Sequence, residues 1–250
     1  MPATPAWPPR SAPRLFVDPP LAEGLELRID GAQAHYLGGV MRMRPGGIVI
    51  LCDDQTGEWA GEIVAQGKRD LTVRLIERLR PREPVPDIWL CAAPIKRGRI
   101  DWVVEKAAEL GAARLMFVGT RRAVVDRLNL ERLRAHMIEA AEQCARTALP
   151  ELHDLTGLET LIGAWPADRH LFFADEEGGT PIAAAIAARP GPAAILIGPE
   201  GGFDPDERAL IRAVPAAVPV SLGPRILRAD TAAAAALSVW MAVAGDWVAK

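Results

Sequence analysis

The sequence predicts an α/β protein of two unequal domains, a larger one with a mostly parallel sheet preceded by a small β-barrel. Three observations lead there. After residue 86, short apolar runs alternate with helical patterns, as in parallel strands joined by crossover helices. Before residue 80 the apolar runs are short and are separated by Gly, Asp and Lys-Arg turns, the pattern of a small barrel. Between them Arg80-Pro81-Arg82-Glu83-Pro84-Val85-Pro86 places three prolines in six positions, which marks a boundary. A chain of 250 residues, half of them apolar, is long enough for two domains and a sizeable core.

The elements follow in order. Residues 1–13 hold five prolines and no apolar signal core, and are expected to be a flexible tail. The barrel domain spans residues 14–79, with strands at 25–29, 48–51, 59–65 and 71–76 and one helix at 31–40. Residues 80–86 form the linker, and the second domain takes residues 87–250. It opens with a strand at 88–93 and a helix at 97–110. That helix puts Ile100, Val103, Val104 and Ala107 on one face, and Gly111 is placed to end it. Further strands are expected at 115–118, 171–174, 194–197 and 218–222, and further helices at 130–148, 181–188, 205–213 and 231–247.

Two glycine-bearing loops each leave a short apolar strand and run into a helix: Leu196-Ile197-Gly198-Pro199-Glu200-Gly201-Gly202-Phe203 and Leu222-Gly223-Pro224-Arg225-Ile226-Leu227-Arg228. Glycine lets main-chain groups approach a ligand and tolerates the positive φ of sharp turns. In open α/β sheets, ligands gather at the C-terminal ends of strands, where both loops fall. The helix after the first loop begins Asp204-Pro205-Asp206-Glu207, an N-cap, a proline at the first helical position and further acidic residues. That end is already negative, so a polyphosphate is disfavoured and a neutral or cationic ligand fits better. Neither nucleotide fingerprint is present; the nearest run, residues 61–68, has the wrong spacing.

Composition narrows the classes further. Cys52, Cys91 and Cys144 are far apart and form no C-x-x-C pair, and the four histidines are scattered, so neither a disulfide framework nor a metal site is expected. No apolar stretch approaches the roughly 18 residues of a membrane span, and a soluble protein of the reducing cytoplasm is expected. Net charge is -3, but its distribution is uneven: residues 78–134 hold 13 basic and 7 acidic groups, residues 135–250 hold 8 and 15. Such asymmetry can set a positive face against phosphates. Any one of these arginines could equally decorate a linker or a solvated helix.

The two loops are similar to the cofactor loops of the SPOUT superfamily of knotted methyltransferases, and the fuller pattern resembles the bacterial 16S rRNA uracil-N3 methyltransferase family. Beyond the loops the likeness includes Arg14-Leu15-Phe16-Val17, His35 followed by Met41-Arg42-Met43-Arg44-Pro45-Gly46, Glu105-Lys106-Ala107-Ala108-Glu109-Leu110-Gly111, and Glu142-Gln143-Cys144-Ala145-Arg146. Two positions depart from the family's usual pattern. Asp230 stands where Glu is usual in Leu-Arg-x-Glu-Thr-Ala, and Ala145 where Gly is usual in Gln-Cys-Gly-Arg.

This resemblance implies a PUA-like barrel for RNA, a SPOUT domain whose last loops and helix form a trefoil knot, and a homodimer with the final helix in the interface. Trp240 and Trp247 would then be interface anchors or core residues. It implies S-adenosylmethionine as cofactor and 16S rRNA, or the small ribosomal subunit, as partner. Leu196, Ile197, Gly198, Glu200, Gly201, Gly202, Leu222, Gly223, Ile226, Leu227, Thr231 and Ala232 would form the cofactor site. Methylating uracil N3 requires losing a proton and stabilising negative charge, for which Arg228 and Arg225 are the candidates. Asp230 would orient Arg228 or accept the proton through water, or it would simply cap the helix at Thr231. Arg10, Arg14, His35, Arg42, Arg44, Lys96, Arg97, Arg121 and Arg122 would grip RNA phosphates. Another RNA position as target, or a non-catalytic RNA-binding or assembly protein, remain alternatives on sequence alone.

Overall fold

A computed structural model describes residues 7–18, 20–96 and 98–248. The first six residues of the expected tail, and Arg97 of the expected RNA contacts, lie outside them. The chain divides into two compact units, residues 1–84 with 141–148, and residues 85–140 with 149–250. Residues 141–148, expected in the second domain, therefore group with the first.

In the first unit, β1 (Arg14–Phe16), β2 (Glu26–Ile29), β3 (Ile48–Cys52), β4 (Glu58–Gln66) and β5 (Leu71–Arg80) form a five-stranded sheet in the order β1-β3-β4-β5-β2. Only the β1–β3 pair is parallel. Leu15, Leu37, Leu51, Ile63, Val73 and Leu75 fill its core. Gly61 lies against this core, where a Cβ would come within 2.5 Å of the Val73 side chain. The expected helix at 31–40 splits into α1 (Gly31–His35) and a π-helical turn (Tyr36–Val40), which leaves Gly38 and Gly39 on a widened loop of backbone. Strand β1 was not legible in the pattern. Nor are residues 7–13 a free tail: Pro13 is buried and its carbonyl accepts from Ile50 N–H at 2.8 Å, while Trp7 Nε1 donates to Glu77 Oε1.

The second unit runs β6 (Ile88–Ala92), α2 (Arg99–Glu109), β7 (Arg114–Gly119), α3 (Leu130–Cys144, whose residues from 141 on group with the first unit), β8 (Glu151–Gly157), α4 (Leu158–Gly163), β9 (His170–Ala174), β10 (Thr180–Pro181), α5 (Ile182–Ala187), β11 (Ala193–Ile197), α6 (Pro205–Arg212), β12 (Ala217–Ser221) and α7 (Ala229–Val243). Its sheet has the order β10-β12-β9-β11-β6-β7-β8, with every pair parallel. The central strand β11, Ala193-Ala194-Ile195-Leu196-Ile197, is buried along its whole length, as a strand covered by helices on both faces must be. The packing core includes Cys91, Val118, Leu171, Phe173, Leu196 and Ile211.

Several expected boundaries move for local reasons. Helix α2 ends as expected, with Gly111 at φ 82°. Helix α3 stops at Cys144 rather than 148, because Ala145 turns into the left-handed region at φ 61°. Strand β8, helix α4 and the short β10 were not anticipated; β8 alternates only between exposed and half-buried residues and so lacks an apolar stripe. Helix α7 begins at Ala229 with Arg228 as its N-cap, so Asp230 lies in its first turn and does not cap it. Trp240 is buried in this unit, whereas Trp247 is exposed. No helix among the described residues is long and apolar enough to cross a membrane.

Candidate cofactor-binding site

Strand order brings the chemistry together. Because β9 lies between β11 and β12, the loops leaving the C-terminal ends of these three neighbours meet at one edge of the sheet. They enclose a cavity of about 230 Å³. Of the residues expected on the first loop, Ile197, Gly198, Glu200 and Gly202 line it, while Leu196 is buried in β11 and Gly201 lies outside the lining. On the second loop Leu222, Gly223, Ile226, Leu227 and Ala232 line it, and Thr231 does not.

The first loop is held from several sides. Gly202, at φ 68°, closes a turn by donating its N–H to the Pro199 carbonyl at 2.9 Å. A Cβ on Gly198 would sit 3.1 Å from the Phe203 ring, so the ring covers this glycine. The start of α6 is a capping box: Asp204 accepts from Asp206 N–H at 3.1 Å, and Asp204 N–H donates to Glu207 Oε2 at 2.9 Å. Glu207 is buried, and its other oxygen accepts from Arg121 N–H at 2.7 Å. These N–H groups are occupied by the chain's own carboxylates, which leaves no anion site there.

Two exposed arginines expected to grip RNA contact this loop. Arg121 Nη1 reaches Asp204 at 2.8 Å and Asp206 at 2.7 Å, and Arg122 Nη1 donates to the Gly201 carbonyl at 2.6 Å. The two carboxylates push the Arg121 guanidinium still further above its usual range, led by the hydrogen bond to Asp206. Lys96, Arg10, Arg42 and Arg44 are exposed. Arg14 is not free, since it forms a hydrogen-bonded ion pair with the buried Glu58. His35 borders a separate barrel cavity of about 590 Å³, together with Arg28, Gly38, Gly39, Lys68 and Arg69.

Arg225 lines the cofactor cavity; Arg228 and Asp230 do not. Asp230 Oδ2 lies 3.4 Å from Arg99 Nη1, and its Oδ1 accepts from Thr231 N–H at 2.8 Å. The third loop, which sequence reasoning missed, contributes Asp175, Glu176 and Gly178, and α6 contributes Arg208. A signal existed: Ala174-Asp175-Glu176-Glu177-Gly178-Gly179 also leaves an apolar strand and ends in glycines. The buried thiols of Cys52 and Cys91 are each pushed up to about 12 by burial, which leaves them protonated and poor nucleophiles.

The model of the RNA methyltransferase domain matches residues 81–241, and that of the RNA methyltransferase PUA domain matches residues 29–76. The ribosomal RNA small subunit methyltransferase E of Mycobacterium bovis is 30% identical over 94% of this chain and 93% of its own length. The chain belongs to this methyltransferase family. Its relative of the same name from Rickettsia conorii is 28% identical over 90% of this chain and 93% of its own length. A methyltransferase from Legionella pneumophila, solved with the cofactor SAM bound, is 29% identical with a TM-score of 0.82, covering 93% of this chain and 98% of that one. The Neisseria gonorrhoeae ribosomal RNA small subunit methyltransferase E shares the fold at 23% identity and a TM-score of 0.85, covering 95% and 100%.

Proposed function

We propose that the protein is an S-adenosylmethionine-dependent methyltransferase that methylates N3 of a uridine in 16S rRNA of the small ribosomal subunit. The observation that carries this reading is the convergence of three strand-end loops on one cavity walled by glycine main chain and carboxylates, with the nearest helix N-terminus already capped. Such a wall suits a cationic adenosine derivative and disfavours a polyphosphate. The SAM bound to the Legionella relative, and the names of the Rickettsia and Mycobacterium relatives as ribosomal RNA small subunit methyltransferases, point the same way.

When bound, S-adenosylmethionine supplies an electrophilic methyl group on a sulfonium. Main-chain groups of Ile197, Gly198, Leu222, Leu227 and Ala232 would read the adenosine, whose faces are apolar and whose edges are hydrogen-bonding. Uracil N3 must lose its proton, and the pyrimidine then carries negative charge on its carbonyl oxygens. Arg225 in the cavity wall, with Arg228 three residues on at the α7 N-cap, would hold that charge. Asp230 is paired with Arg99 in the first turn, and we assign it to helix geometry rather than to proton transfer.

The same reading takes residues 14–79 as the RNA-binding domain and residues 87–250 as the methyltransferase domain. Arg10, Arg42, Arg44 and His35 on the barrel, with Lys96, would meet phosphates, leaving base choice to the pocket. It also takes α7 as the threaded element of a trefoil knot, because after β12 the chain returns past β9 to pack α7 on β11 and β6. A homodimer in the cytoplasm completes it, with Ile226 at 94% exposure and Trp247 at 54% as the apolar groups a partner would cover.

Small subunits from cells lacking this protein, incubated with the purified chain and labelled S-adenosylmethionine, should gain label at one uridine. Mass spectrometry of the nucleosides should identify it as N3-methyluridine. Label on a ribose, on tRNA, or nowhere would overturn the reading.

A further inference from the structure

We infer that Glu176 is the acidic contact for the α-ammonium of the cofactor's amino-acid arm, and that Arg208 is the positioning residue that holds it there. This rests on the proposed cofactor.

The cavity has two chemically different ends. Ile197, Leu222, Leu227 and Ala232 present apolar side chains and main chain, which suits a nucleoside; Asp175, Glu176 and Arg208 gather charge on the third loop and α6. Arg208 is a guanidinium only 9% exposed with three carboxylates around it. Its Nη1 lies 2.6 Å from Glu177, its Nη2 3.1 Å from Glu176 Oε1, and its Nε 3.1 Å from Asp175 Oδ1. The last approach lacks hydrogen-bond geometry, so the buried Nε has no hydrogen-bond partner among the described residues. A planar fork of donors is what lets one side chain address three carboxylates at once.

The three acids are not equivalent. Asp175 is fully buried and is also held by Arg212 at 2.6 Å, so its charge is spent inside the fold. Glu177 does not line the cavity. Glu176 does, and it uses only Oε1 on Arg208, leaving Oε2 with no partner among the described residues. Its carboxylate lies against Gly202 of the first loop: a Cβ there would come 2.4 Å from Oε1 and 2.8 Å from Oε2. The absence of a side chain at Gly202 is what lets a carboxylate from the neighbouring strand's loop reach the cavity wall. A half-exposed carboxylate with one free oxygen, oriented by a buried guanidinium, is matched by a cation of the ligand.

Calorimetry with three ligands tests this: S-adenosylmethionine, S-adenosylhomocysteine and 5'-methylthioadenosine, the last lacking the amino-acid arm. Glu176→Gln, which keeps the shape and removes the charge, should weaken the first two by about three- to tenfold and leave methylthioadenosine unchanged. Arg208→Lys, whose single ammonium cannot span the three carboxylates, should give the same pattern. Equal weakening of all three ligands, or no change in any, would overturn the assignment. A wild-type protein that binds none of them would overturn the cofactor reading, and this one with it.

Discussion

Arg122, just after β7, donates to the carbonyl of Gly201 at 2.6 Å and so ties the first glycine loop to a strand that is not its sheet neighbour. Replacing Arg122 by Ala should release that carbonyl and weaken S-adenosylmethionine binding by about fivefold, the scale of one exposed hydrogen bond of about 1 kcal/mol. Calorimetry checks this. Unchanged cofactor affinity alongside weakened RNA binding would return Arg122 to the phosphate-gripping role expected from sequence.

Gly202 combines φ 68° with a neighbouring carboxylate, so an added methyl group is strained by its backbone and collides with Glu176 as well. Gly202→Ala should lower cofactor affinity at least tenfold while thermal unfolding shifts by only a few degrees. The strand framework stays intact because Gly202 itself is only half-buried and lies outside the strands. A variant that binds normally would show that the loop rearranges freely on binding.

Glu58 is buried in the first unit between Arg14 and Arg80. Burial alone would raise its carboxyl, but hydrogen bonds from Arg80 and Arg14 outweigh it and hold it below the usual range. Asp53 behaves likewise, its burial outweighed by hydrogen bonds from Thr56, Leu21 and Gln55. A carboxyl depressed in the folded state adds stability that is complete above its unfolded value, here about 4.5, and is lost as pH falls through the folded one. Stability should therefore be level above about pH 5 and decline below it. Glu58→Gln should cost about 2 kcal/mol at neutral pH, since Arg80 is partly exposed, and should make the acid decline shallower. Denaturant midpoints measured from pH 3 to 7 give both answers.

Ala145 ends α3 in a Schellman turn, with Arg146 N–H bonded to the Ala141 carbonyl at 3.0 Å and the C′ position at φ 61°. The left-handed conformation costs an alanine about 1–2 kcal/mol, against about 0.5–1 kcal/mol for the greater chain entropy that glycine must lose. Ala145→Gly should therefore stabilise the protein by about 0.5–1 kcal/mol, seen as a higher unfolding midpoint. A lower midpoint would mean that the alanine methyl makes packing contacts worth more than the strain.

Local signals in this chain were short in range and therefore legible. The two glycine loops, the Asp204-Pro205-Asp206-Glu207 helix start, the stop at Gly111 and the alternation of strands with helices depend on residues a few positions apart, so each could be read before any folding was considered. Helix α3 shows the limit, because an alanine in a glycine's conformation gives no stop signal, and β8 shows it again by having no apolar face. What only the tertiary structure decided was adjacency. The strand order β12-β9-β11-β6 brings a third loop, Asp175 to Gly178, to the cavity that the two glycine loops also line. The same long-range packing set Arg14 against the buried Glu58, and the exposed Arg121 and Arg122 against two carboxylates and a carbonyl. Charge can be counted along a chain, but which charges remain for a ligand depends on which have been paired by folding.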